Sequence, residues 1–329
     1  MDFKLVYGNH GRDPFHIMDT LLLIKLSLEA LGHKADLEER MIPGKVNIML
    51  ECFTYDFVEA MKEIRKTPGT EFIIVATEFI TGNSFNDFNS GDGESTRDSH
   101  YEVPEYWRKR FRTFLVAQEM TRAVWHLAES QVAPFKEATG RTGVFYLPHG
   151  YVDGFARVGH KPAQHKDIDA IFTGTLTNHR HTVIRELLKH GINAVATKPL
   201  NFVQREDLIA RAKIGLNIKQ TNSWQYPSNS RYHYHLSNDS LLLSEHTPVQ
   251  CDLSPYIVEA SLDGFVERCY EILASGNWSN EASLRRERFM AEIPMQSLME
   301  ALLEATYSKA VAELGKARTE IRNDEISGQ

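Results

Sequence analysis

At 329 residues, with 42% hydrophobic and 25% charged residues, the chain has the make-up of a globular protein and the length of two ordinary domains. It holds no run of about twenty apolar residues, so no membrane span is expected, and its net charge of −7 argues against a broad nucleic-acid surface. The three cysteines, Cys52, Cys251 and Cys269, have no ligand-like spacing and read as reduced thiols of a cytoplasmic protein.

The first half alternates strands and helices. Phe3–Tyr7 is strand-like, carries no signal-peptide pattern, and leads into the turn-rich Gly8-Asn-His-Gly-Arg-Asp13. Ile17–Leu31 has helical apolar spacing and stops at Gly32. Val46–Leu50 and Glu71–Ala76 read as strands, with a helix over Phe57–Ile64 between them. Repeated units of this kind predict a mostly parallel sheet with helices on both faces. Thr81–Val103 breaks the rhythm. It is rich in Asn, Ser, Gly and Asp, offers little apolar surface to pack, and reads either as a substrate-covering loop or as a plain flexible insertion. Tyr106–Phe114 is helical and basic, Ala123–Leu127 is a strand end or a helix start, and Gly143–Leu147 is a strand before Pro148-His149-Gly150. Val158–Lys166 is the best linker.

The rhythm restarts at Asp167, where a strand to Phe172 ends on the turn Thr173-Gly174-Thr175, followed by a helix over Thr182–His190. Ile214–Ile218 is a second strand, and a polar loop from Lys219 to Asn229 leads to a helix opening at Ser230-Arg231 and ending at Asn238-Asp239. Ser240–Ser244 is a third strand, and Met295–Leu314 is a long amphipathic helix before a charged tail. A strand, a loop of hydroxyls and amides, and a helix start bearing an arginine suit a diphosphate. Open amides at the helix start face the anion, and a guanidinium balances its charge.

Arg231 is therefore the first candidate for phosphate binding, against the plainer reading of a helix-start arginine paired with a surface carboxylate. Lys219, and the Thr173, Gly174 and Thr175 turn, lie at carboxyl ends of strands, where parallel sheets hold ligands. Ser228 and Ser230 flank the helix start, while Trp224 and Tyr226 offer aromatic faces for a base or sugar. His233 and His235 invite a metal reading, but their spacing does not share a helix face and no carboxylate pattern completes a site, so no metal is expected.

Two halves of such units, a Pro-His-Gly turn closing the first (Leu147–Asp153) and Phe-Thr-Gly opening the second, resemble the GT-B glycosyltransferases, nearest the group 1 and spore-maturation-protein-like families. In that branch the nucleotide site carries Arg-x-x-Glu-Ala-x-Ala-x-Gly-x-x-Leu-Leu, and here Arg231 to Glu245 is similar. Tyr234 stands where the family's ribose-binding glutamate would be, and Asp239 where its glycine would be. The resemblance implies two Rossmann-like α/β domains facing a cleft, with a C-terminal helix returning to the first domain. Residues 1–157 would bind the acceptor, 158–295 the nucleotide-sugar, and 296–329 would pack back. It further implies metal-independent sugar transfer with a nucleotide-sugar as co-substrate. Tyr234 is then a donor contact, His10 or Asp13 the catalytic base (His16 a third candidate), and Glu78 and His149 acceptor contacts. The acceptor itself is unidentified. The rival reading is a non-catalytic two-domain nucleotide- or sugar-binding protein. A dehydrogenase is disfavoured because no Gly-x-Gly-x-x-Gly follows any strand.

Overall fold

The computed structural model describes residues 1–11, 14–86, 104–198 and 201–308. Two parallel sheets follow one another along the chain. The first has six strands in the order β2-β1-β3-β4-β7-β8: β1 (Asp2–Val6), β2 (Lys34–Glu38), β3 (Val46–Leu50), β4 (Glu71–Ala76), β7 (Ala123–His126) and β8 (Val144–Tyr146). Helices α1 (Met18–Ala30), α2 (Tyr55–Ile64), α3 (Pro104–Gln118) and α4 (Val132–Thr139) connect them, and a small hairpin, β5 (Ile80–Thr81) and β6 (Ser84–Phe85), follows β4. Central strands such as β4, Glu-Phe-Ile-Ile-Val-Ala, are buried on both faces, which explains their continuous apolar runs.

The second sheet has five strands in the order β10-β9-β11-β12-β13: β9 (Ile168–Thr173), β10 (Ala194–Thr197), β11 (Ala212–Asn217), β12 (Leu242–Glu245) and β13 (Val258–Ala260). Its helices are α5 (Asn178–Lys189), α6 (Phe202–Arg211), α7 (Asn229–Ser237), α8 (Phe265–Ser275) and α9 (Trp278–Glu292). In the stretch 123–127, ambiguous in sequence, Ala123–His126 forms β7, held by β4 and β8 on either side. Helix α5 begins four residues earlier than expected because the Thr177 hydroxyl caps it, accepting from the Arg180 amide at 3.3 Å.

Expected as unpacked, the stretch from Thr81 starts otherwise. Phe85 is fully buried, its ring against Phe111, Phe114 and Phe135. The rest of that stretch, 87–103, lies outside the described residues.

The chain crosses between sheets twice, and the crossings hydrogen-bond to each other. The Tyr151 amide donates to the Ile293 carbonyl at 2.7 Å, and the Met295 amide to the Tyr151 carbonyl at 2.8 Å. Gly150 is required there, since a Cβ would sit 2.8 Å from Met295 Cα. The chain then returns as α10 (Met295–Thr306), which packs on α1 and β8. Its last turn is pinned by the Trp125 indole, which donates to Thr306 Oγ1 at 2.9 Å. The helix expected to run to Leu314 ends at Thr306, with Tyr307 at its C-cap, and residues from 309 on lie outside the described residues. The result is two Rossmann-like domains with a C-terminal helix on the first. Loops after the carboxyl ends of both sheets meet, as Asn229 Nδ2 donates to the Leu127 carbonyl at 2.6 Å and Phe79 stacks on Tyr226 at 4.1 Å.

Candidate functional site

In the second domain, β9, β11, α5 and α7 bring two arginines onto one ring. Arg231, in the first turn of α7, donates from Nη1 to Asn217 Oδ1 at 2.6 Å and from Nη2 to the Thr173 carbonyl at 3.1 Å. Arg180, in the first turn of α5, donates from Nε to the Ile218 and Lys219 carbonyls at 3.0 and 3.1 Å and from Nη1 to the Thr175 carbonyl at 2.8 Å. Each guanidinium carbon lies 5.0 Å from the Phe172 ring centre. Among the described residues, neither is within ion-pair distance of a carboxylate. Burial, then the nearby Arg231 charge, lowers the pKa of Arg180 to about 9; burial, helped by the Arg205 charge, lowers that of Arg231 to about 10. Two half-buried guanidiniums on one ring thus carry positive charge that no carboxylate among the described residues pairs with.

The backbone around them is arranged to match. Gly174 sits at φ +153, and a Cβ on it would come within 3.0 Å of Arg231 Nη2, so a side chain there would crowd the guanidinium. Ser228 occupies the N-cap of α7 without a side-chain cap, leaving that helix's first amides open beside Ser230 and Arg231. Lys219 is nearby but its charge is engaged: Nζ lies 3.3 Å from Glu245 Oε1 and donates to the Asn222 carbonyl at 2.9 Å. Glu245 is buried, and burial alone would raise its pKa. His179, at 2.9 Å, and Lys219 outweigh that and hold it below its usual value.

The remaining donor candidates stand apart from the arginine pair. Tyr226 belongs to an aromatic clasp across the cleft, stacked on Phe79, with Trp224 Nε1 donating to its carbonyl at 2.7 Å and Trp224 edge-on to Phe79 at 5.5 Å. Tyr234 is one helical turn below Arg231 and only 3% exposed, its ring 4.1 Å from the Arg205 guanidinium. Arg205 in turn holds Asp19 of the first domain at 2.6 and 2.8 Å. Sequence reasoning passed over Arg180. Its signal was a basic residue in the first turn after a Thr cap, beyond the carboxyl end of a buried strand.

In the first domain, the carboxyl ends of β1, β3 and β4 and one face of α3 gather a second cluster. Glu51, 1% exposed, accepts from Thr77 Oγ1 at 2.7 Å and from the Thr77 amide, and Arg110 Nη2 lies 3.1 Å away. Arg110 Nη1 reaches Glu78 at 3.1 Å, and Asn86 donates to Glu78 at 2.5 Å. Burial and the Glu78 charge push the Glu51 carboxyl well above the usual range, against the pull of Arg110. Burial, with the Arg110 charge, lowers the His10 pKa to about 4, and His10 Nε2 is shut from solvent without a hydrogen bond. The Glu78 side chain is 21% exposed.

The other first-half candidates do not join this cluster. Asp13 lies outside the described residues, and His16 is exposed with its ring against Phe15 at 5.3 Å. His149 is 2% exposed, 5.9 Å from the His233 ring, and burial lowers its pKa to about 3. It sits at the crossover between sheets rather than on an open surface. His233 is engaged there too, its Nε2 3.1 Å from the Gly150 carbonyl. Among the described residues, no group of three or more His, Cys, Asp or Glu is placed to hold a metal ion, and no helix is long and apolar enough to cross a membrane.

No protein-family model matches the chain, and no curated protein matches it in sequence. Solved structures do match in shape. The crystal structure of TarM aligns with a TM-score of 0.50 at 9% identity, over 88% of this chain and 58% of that one. A mutant of S. aureus TarM in complex with fondaparinux, alpha-GlcNAc-glycerol and UDP aligns at 0.49 and 10% identity, over 88% and 59%. The OtsA apo structure aligns at 0.46 and 11% identity, over 90% and 78%. The chain thus spans less than two thirds of the length of TarM. At such identities the likeness is one of fold, and the fold is of the GT-B type.

Proposed function

We propose that the chain is a glycosyltransferase that moves a sugar from a nucleotide-sugar to an acceptor, with residues 158–295 binding the donor and 1–157 the acceptor. The observation that carries this reading is the arginine pair. Arg180 and Arg231 both lie on the Phe172 ring, with no carboxylate partner among the described residues, beside the open start of α7. In the reading, the pair and the α7 amides take the donor diphosphate, and the Thr173–Thr175 turn lets backbone approach it. The two guanidiniums stabilise the departing nucleoside diphosphate, which makes transfer independent of a divalent metal. Ser228 and Ser230 contact the same phosphates. Lys219 tunes the site through Glu245 rather than by direct contact.

On the acceptor side, Glu78 is the reachable end of the first cluster, and we assign it to orient the acceptor hydroxyl. His10 was a candidate base on sequence grounds. Its enclosed Nε2 makes Glu78 the better placed proton acceptor. The experiment is release of nucleoside diphosphate from a panel of UDP-, GDP- and ADP-sugars in EDTA. Release abolished by chelator and restored by magnesium or manganese refutes metal-independent transfer. A second reading, a non-catalytic binding protein, draws on Tyr234. The position that carries a ribose-binding glutamate in the resembling families holds a tyrosine packed beneath Arg205. Tight nucleotide binding without turnover of any donor would favour that reading.

A further inference from the structure

A cavity of ≈ 270 Å³ lies between the domains, at the start of α7. Its first-domain wall is the turn after β7 and the end of β8, including Glu129 and Tyr146. Its second-domain wall is Asn229 and the loop after β12, including Gln250, Cys251 and Asp252. Ligand pockets generally run from about 300 Å³ upward, so this one is sized for a single ring or a comparable small molecule.

Its electrostatics are the reverse of the arginine site. Glu129 and Asp252 line it, no lysine or arginine does, and among the described residues neither carboxylate has a cation within ion-pair distance. Tyr146 shares the wall, and burial, with Asp252 and Glu129 nearby, pushes its phenol pKa up. The wall also holds an unused acceptor. Asn229 is 8% exposed and spends Nδ2 on the Leu127 carbonyl, while its buried Oδ1 has no donor. A buried amide oxygen left unpaired is costly, and a ligand N–H or O–H would recover that cost. The start of α7 adds about half a positive charge at this end, outweighed by two full carboxylates.

The geometry points to a binding site for a small amine-bearing polyol, an amino sugar or an amino alcohol. Its ammonium pairs with Glu129 and Asp252 and one of its N–H or O–H groups donates to Asn229 Oδ1. Carboxylated or phosphorylated sugars are repelled. Asn229 and Arg231 share the first turn of one helix, so the ligand sits beside the proposed diphosphate site. The site is separate from the Glu78 end assigned to the acceptor, and its preference for an amine does not rest on the transferase reading.

The test uses the whole chain, with glucosamine, N-acetylglucosamine and glucuronate as probes, followed by saturation-transfer NMR and titration calorimetry. Glucosamine should bind more tightly than N-acetylglucosamine, and glucuronate should not bind. Glu129→Gln with Asp252→Asn, both exposed positions, should weaken glucosamine at least about tenfold, as loss of charged hydrogen bonds implies. The melting temperature and nucleotide affinity of that variant should stay unchanged. Equal binding of glucuronate, no binding of glucosamine, or a double variant that binds glucosamine normally would overturn the proposal. Because nucleoside diphosphate is titrated in parallel, failure here with intact nucleotide binding leaves the transferase reading standing. Loss of nucleotide binding by wild type would instead count against the transferase reading.

Discussion

Arg231→Ala is the sharpest single perturbation of the donor site. In the unliganded protein two opposing effects follow. The Thr173 carbonyl and Asn217 Oδ1 lose donors at 3.1 and 2.6 Å, which costs about 1–3 kcal/mol. Against this, a half-buried guanidinium with no carboxylate partner among the described residues disappears and the repulsion on Arg180 is relieved, effects of the same order. Asn217 also keeps its bond to Ser244 at 2.9 Å, so the strand end stays anchored. The unliganded variant should therefore melt close to wild type. With a nucleoside diphosphate the balance is one-sided. One charged hydrogen bond to phosphate is lost, about 1.5–3 kcal/mol, so Kd should rise about 10- to 150-fold. Titration calorimetry with whichever of UDP, GDP or ADP binds best is the assay, with circular dichroism as the folding control. Arg231→Lys should fall between, since it keeps the charge but not the fork. A folded Arg231→Ala protein with wild-type affinity would remove this residue from the site and with it the main support for the donor reading.

Three further outcomes follow from other parts of the molecule. Glu51 has a carboxyl pKa raised above its ordinary 4.5 by burial and Glu78, so the folded state holds a proton that the unfolded chain releases. This contribution is full below pH 4.5 and is lost as pH climbs from there through the raised value. Glu51→Gln should flatten that fall, read as urea midpoints across the acid-to-neutral range, and a slope identical to wild type would contradict it. Thr306→Val orphans the buried Trp125 indole N–H and should cost about 1–3 kcal/mol in urea unfolding; no loss would mean that α10 is not pinned there. Phe79→Ala removes a ring stacked at 4.1 Å on Tyr226, an interaction of about 0.5–1.5 kcal/mol beyond its buried area. Amide exchange in 219–228 should quicken, and unchanged protection would show that the aromatic clasp does not hold the cleft.

The alternation of strands and helices was legible wherever burial imposed a run. Glu71–Ala76 and Ile168–Thr173 are buried on both faces and read as strands at sight. The edge strands β2, Lys-Ala-Asp-Leu-Glu, and β10, Ala-Val-Ala-Thr, were not: β2, paired on one side only, tolerates polar residues, and β10 is too short to show a periodic run. Arg231 could be picked out because loop chemistry leads into it. Arg180 could not, because Asn178-His-Arg-His181 looks like an ordinary solvated helix start until the fold lays its guanidinium on Phe172. The engagement of Lys219 by Glu245, and of Tyr226 by Phe79, depends on residues 26 and 147 positions away, pairings that no local pattern encodes. Glu51 was invisible for a related reason. It follows an apolar strand directly, and only α3 crossing above it supplies Arg110.

We claim that the second domain binds a diphosphate through Arg180 and Arg231. The most direct measurement is competitive titration of the whole chain, in EDTA, with nucleosides, nucleoside mono- and diphosphates, and inorganic pyrophosphate. The claim predicts that affinity rises steeply from mono- to diphosphate, that pyrophosphate alone competes, and that Arg180→Ala and Arg231→Ala each erase the step. Nucleosides binding as tightly as their diphosphates, or pyrophosphate failing to compete, would contradict it.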